Sequence, residues 1–129
     1  MPRTARELSA EELRSFRPWA RVGSWQGSSA VEERRRSAWE VARSPARLLK
    51  DEYGASKVAA FGSLAVADRF TPWSDVDLAV WGVAPDRFYD AAGAALELGA
   101  EAGLRVDVVD AERCHSGVRG VIEEEGVDL

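Results

Sequence analysis

From residue 57 onward the chain breaks into three short apolar runs, and the second and third carry aspartates within or directly beside them. The first, 57–61 (Lys-Val-Ala-Ala-Phe), is closed by Gly62; the second, 76–81, opens straight after Asp75; the third, 105–109, contains Asp107. Runs of five or six residues, rich in valine and bounded by glycine or turn residues, have the length of strands and are too short for buried helices. Alternate side chains of a strand share a face, so Asp75 and Asp77 project side by side while Val76, Leu78 and Val80 point into the opposite layer.

The segments between these runs have helical spacing. Residues 85–102 are rich in alanine and leucine, with Phe88, Ala92 and Leu96 on one stripe expected to face the sheet. A weaker helix is expected over 117–125, ending at Gly126. Ahead of the first strand, Ser9 to Glu12 and Ser29 to Glu32 each have the Ser-x-x-Glu spacing of a capping box. They predict a short helix over 10–16, stopped near Pro18, and a long one reaching Tyr53, where Gly54 ends it. Pro45 should kink or split the long helix, since a proline there removes a hydrogen bond and crowds the preceding turn. The resulting order predicts an α/β or α+β layer structure with a small sheet flanked by helices. Residues 1–53 are expected to form a helical extension packed on a core of 54–129, within one domain overall.

Composition narrows the function classes. The 129 residues are 46% apolar and 30% charged, the balance of a globular protein. No apolar run approaches the roughly 20 residues that span a bilayer, and the first residues lack a signal peptide's apolar core; a cytoplasmic protein without membrane contact is expected. Cys114 and His115 are the only cysteine and histidine, so a His/Cys zinc site within one chain is excluded and any metal must be held by oxygen. Neighbours in sequence seldom face each other, and this pair is expected to be ordinary loop. Residues 1–50 hold 11 basic and 6 acidic side chains, whereas 51–129 hold 6 and 16. The acidic part is unsuited to direct nucleic-acid binding, which requires a basic surface. The basic part suits an acidic partner or is simply a solvated helix face.

Like charges a few ångströms apart raise each other's pKa unless a cation lies between them. Asp75 and Asp77 therefore suggest a hard divalent cation such as Mg²⁺, which prefers carboxylate and phosphate oxygen. Asp107 sits in an apolar strand where an unpaired acid is costly, and sharing that metal would explain it. With the third run beside the second, three carboxylates converge and two ions can be held. Asp110, the competing candidate, alternates to the other face. Gly62 lets the backbone come close to a ligand, and a short helix over 64–67 would point its first N–H groups at an anion there. Ser63 adds a hydroxyl, Ser74 adjoins Asp75, and Trp73 is the one tryptophan placed to reach a nucleotide base. A Gly-Ser turn or an isolated Asp-x-Asp is common; the joint spacing is not.

The motif Gly62-Ser63 followed by Asp75-Val76-Asp77, with a later strand acid matching Asp107, resembles the minimal nucleotidyltransferases of the DNA polymerase beta-like superfamily. Members of this minimal group resemble antitoxins encoded beside HEPN-domain ribonuclease toxins. The resemblance implies the nucleotidyltransferase fold and AMP transfer from Mg-ATP to a tyrosine of the toxin partner. By position, it implies Asp75, Asp77 and Asp107 as catalytic metal ligands, and Gly62, Ser63 and Ser74 at the nucleotide. A second copy of the chain is a further candidate partner. Two readings compete: an aminoglycoside-type adenylyltransferase acting on a small molecule, and an inactive antitoxin that works by binding alone. Relatives often carry a basic residue or a glycine soon after Gly-Ser, where this chain has Leu64-Ala65-Val66-Ala67-Asp68.

Overall fold

A computed structural model describes residues 29–129; the expected helix over 10–16 and the loop after it lie outside the described residues. The elements are α1 (Ser29–Tyr53), β1 (Lys57–Phe61), a 3-10 turn (Ala67–Arg69), β2 (Val76–Trp81), α2 (Phe88–Glu101), β3 (Val106–Asp110), α3 (Ser116–Glu125) and β4 (Val127–Asp128). The four strands form one mixed sheet in the order β3-β2-β1-β4. β1 is antiparallel to β2 and β4, and β2 runs parallel to β3.

Strand parity divides the side chains between two layers. Val58, Ala60, Val76, Leu78, Val80 and Val106 pack with Ala38, Ala42, Ala46 and Leu49 of α1 and Ala91 and Ala95 of α2 in the main core. On the other face Phe61 and Ala79 pack with Ala111 and with Ile122 of α3. Asp77 and Asp107 share that second face by alternation.

Local signals explain most boundaries. Gly54 ends α1 in the left-handed conformation, φ +75°. His115 caps α3, its Nδ1 accepting from Gly117 N–H at 3.1 Å, so this residue has a structural role. Gly126 follows α3 because a Cβ there would stand 2.5 Å from the Ile122 carbonyl oxygen.

Three expectations are corrected. Pro45 does not split the long helix: α1 runs unbroken over 25 residues. Its ring is fully buried, so core packing offsets the lost hydrogen bond. The stripe of α2 turned to the sheet is Ala91, Ala95 and Gly99 rather than Phe88, Ala92 and Leu96. Phe88 still packs against the core, while Leu96 is left exposed. The cause is the close approach of α2 to β3, where a Cβ on Gly99 would lie 2.3 Å from Val106 Cγ2. Finally, the segment after Gly62 is no helix over 64–67. Ala65 and Val66 N–H both donate to the Gly62 carbonyl, at 3.1 and 3.2 Å, and the 3-10 turn comes after them.

Candidate active site

Asp77 occupies the second position of β2, with Phe61 of β1 and Asp107 of β3 as its two cross-strand partners. This register sets two carboxylates on adjacent strands and on one face, as the alternation requires. Asp75 stands just before β2 on the same parity. Burial first, then Asp107 and then Asp75, pushes the Asp77 carboxyl up to about 6. Asp75 is raised by burial and by Asp107, against a lowering influence from Arg105.

Gly62 completes the grouping from the other side. It directly follows Phe61, adopts φ +73°, and lies so close to Asp77 that a Cβ on it would stand 2.8 Å from Asp77 Oδ2. Only glycine satisfies both the backbone angle and this approach. The loop is fixed by Leu64, which is fully buried, and by Arg35 of α1, whose Nε donates to the Leu64 carbonyl at 3.0 Å. Ala65 and Val66 spend their amides inside this turn and so do not offer them to an anion.

A closed turn delivers Asp75. The Thr71 N–H donates to Ser74 Oγ at 2.8 Å, and the two hydroxyls are 3.3 Å apart. Ser74 N–H returns to the Thr71 carbonyl at 3.1 Å. One hydroxyl proton of the Thr71–Ser74 pair is used between them and the other is left for a ligand. Trp73, within this turn, is largely exposed. Asp110 is on the opposite face from Asp107 and is engaged by Arg113 at 2.9 Å and by the Glu112 N–H at 3.0 Å.

Asp107 departs from expectation, since its carboxylate has a partner. Arg105 Nε lies 3.3 Å from Oδ1 and 3.4 Å from Oδ2. Among the described residues, no three acidic, histidine or cysteine side chains are gathered closely enough to hold an ion. The donor chemistry nevertheless fits a divalent cation. Asp75, Asp77 and Asp107 supply hard oxygen, and the repulsion among them is what a cation would reverse.

Two arginine contacts go beyond the sequence expectations. Arg105 directly precedes β3 and Asp107 stands two residues further on, so alternation continued by one residue puts them on one face, and that spacing was the available signal. Arg69 bonds to Glu125, tying the loop before Asp75 to the end of α3; 56 residues separate them and no local pattern announces the pair.

The fold and the site together define a nucleotidyltransferase architecture, and the sequence agrees: residues 46–129 match the family model described as "Nucleotidyltransferase domain". The chain belongs to this family. No curated protein matches it, but solved structures do. One, of the toxin–antitoxin MntA-HpeT with two aspartates changed to glutamate, has TM-score 0.54 and 18% identity, covering 67% of this chain and 70% of that one. A second, of a tyrosine-to-alanine mutant of MntA-HpeT, has TM-score 0.51 and 23% identity over 64% and 66%. A third, of a toxin–antitoxin with AMP-PNP, has TM-score 0.50 and 16% identity over 73% and 70%. At these identities the likeness is one of fold. Among the described residues no helix is long and apolar enough to cross a membrane.

Proposed function

We propose that this chain is an antitoxin that transfers AMP from ATP to a tyrosine hydroxyl of a HEPN-type ribonuclease toxin and thereby silences it. The observation that carries the reading is the approach of Gly62 to Asp77 Oδ2, which joins the phosphate-type loop and the acidic strand in one place. Supporting it, the aspartates altered in the MntA-HpeT structure are two positions apart, the spacing of Asp75 and Asp77, and a similar toxin–antitoxin was solved with AMP-PNP.

In this reading Asp75, Asp77 and Asp107 hold Mg²⁺, with room in the chemistry for two ions. Bound there, the cation would neutralise charge on the phosphates and on the attacking oxygen. The chain's own residues do the rest. The amides of Ser63 and Leu64, with the Ser63 and Ser74 hydroxyls, orient the β- and γ-phosphates and turn the α-phosphorus toward Asp75 and Asp77. The acceptor oxygen forms a bond to that phosphorus, the bond to the β-phosphate oxygen breaks, and pyrophosphate leaves. Asp107 accepts the hydroxyl proton. Positioning and charge compensation carry most of the barrier reduction in such transfers.

The test is to incubate the purified chain with Mg-ATP and its HEPN-type partner and weigh the partner by mass spectrometry. A gain of one AMP unit on a tyrosine is expected, and its loss with Asp77→Asn. Modification of aminoglycosides instead would favour the small-molecule reading. Protection of cells by an Asp75, Asp77, Ser63 triple-alanine variant, with an unmodified partner, would favour binding alone.

A further inference from the structure

The contact between Arg105 and Asp107 bears on how the site assembles, given the metal site proposed for the three aspartates, on which its significance rests. Arg105 directly precedes β3, and its carbonyl accepts the Val76 N–H at 2.9 Å, which anchors its backbone beside the start of β2. Its guanidinium reaches both oxygens of Asp107 and lowers the Asp75 carboxyl against the two influences that raise it. One cationic side chain therefore serves two of the three acids. Both partners of the ion pair are partly exposed, 57% for Arg105 and 39% for Asp107. Water reaches the pair, so it is weak enough to exchange.

A divalent cation and a guanidinium bind a carboxylate through the same oxygens. We infer that Arg105 is an internal counter-cation that competes with the divalent metal for Asp107, so that the full set of three ligands forms only when Arg105 is drawn away. A triphosphate offers the guanidinium an alternative anion of the kind arginine pairs with best. Cation and nucleotide binding are thereby coupled: the cation alone meets a site whose third ligand is occupied, and the nucleotide helps to free it. Arg105 is a positioning residue here, acting through Asp107.

Mn²⁺ binding, read by electron paramagnetic resonance of the free ion, tests this without turnover. Removing Arg105 as Arg105→Gln should tighten Mn²⁺ binding in the absence of nucleotide by about fivefold, the scale set by a partly exposed ion pair. It should also shrink the further gain that AMP-PNP produces in the wild-type chain. In an Asp107→Asn background the same Arg105→Gln change should leave Mn²⁺ affinity unaltered, because the coupling runs through that carboxylate. Equal Mn²⁺ affinity in wild type and folded Arg105→Gln would overturn the role of Arg105 and leave the metal site standing. An equal gain with and without Asp107 would overturn it too, reducing Arg105 to a general charge effect. Absence of Mn²⁺ binding in every variant, with or without AMP-PNP, would overturn the metal-site reading and this inference together.

Discussion

Asp77 pits stability against function at a single residue. Its carboxyl is raised to about 6 in the folded chain, from an ordinary value of 3.8. The folded state therefore holds the proton more tightly than the unfolded one. The associated stability is fully present below about pH 4 and is lost as pH rises through 6. At neutral pH the ionised side chain destabilises the cation-free fold by roughly 2 kcal/mol, allowing for the part that water still reaches. Asp77→Asn should thus abolish AMP transfer while raising the melting temperature at pH 7.5 by about 7 °C. The gap should close near pH 4, and thermal melts across that range check it. The parity of Asp75, Asp77 and Asp107 was legible in the sequence because a strand has period 2. Arg105 obeys the same rule, yet composition alone makes Asp107 look like an unpaired acid among valines, when its partner lies two residues upstream.

Among the secondary-structure elements, β1 and β2 were legible because their apolar runs end at Gly62 and Gly82, both with positive φ. The face of α2 was not. Phe-Tyr-Asp-Ala-Ala-Gly-Ala-Ala offers small or apolar residues on nearly every side, so the winning face is decided by how closely the helix approaches Val106 and the Leu104 carbonyl. Gly99→Ala should therefore cost about 1–3 kcal/mol through overpacking, measured by urea denaturation. Strand β4, with two residues, has no period to detect; it exists because Ala59 and Ala60 of β1 have a free edge for Val127 and Asp128. The turn after β1 makes a separate prediction. Gly62→Ala forces a side chain into the left-handed region and against Asp77, and should lower AMP transfer on the order of a hundredfold by displacing that carboxylate. Steady-state kinetics on the folded variant would detect it.

Across the molecule, the sheet separates two tasks. One face carries α1 and α2 and the larger core, and the other carries α3 and, by strand alternation, Asp77 and Asp107. A ligand that binds only the folded state stabilises it by mass action. Mg²⁺ with AMP-PNP should accordingly raise the melting temperature of the wild-type chain and leave that of Asp77→Asn nearly unchanged. The layer structure with a small sheet could be anticipated from the alternation of apolar runs with helical segments. Tertiary ties such as Arg69 to Glu125 and Arg35 to the Leu64 carbonyl could not, because they join residues far apart in sequence without any local pattern.

The proposed chemistry requires that the Gly62-Ser63 turn and the three aspartates form one site for a nucleoside triphosphate and divalent cations. Anomalous diffraction from crystals grown with Mn²⁺ and AMP-PNP would locate both ligands at once. The expected result is a manganese peak within bonding distance of Asp75 and Asp77, with Asp107 turned toward it and the β- and γ-phosphates against Ser63. Manganese bound elsewhere, or a nucleotide seated away from Ser63 with Asp107 still held by Arg105, would refute the shared site.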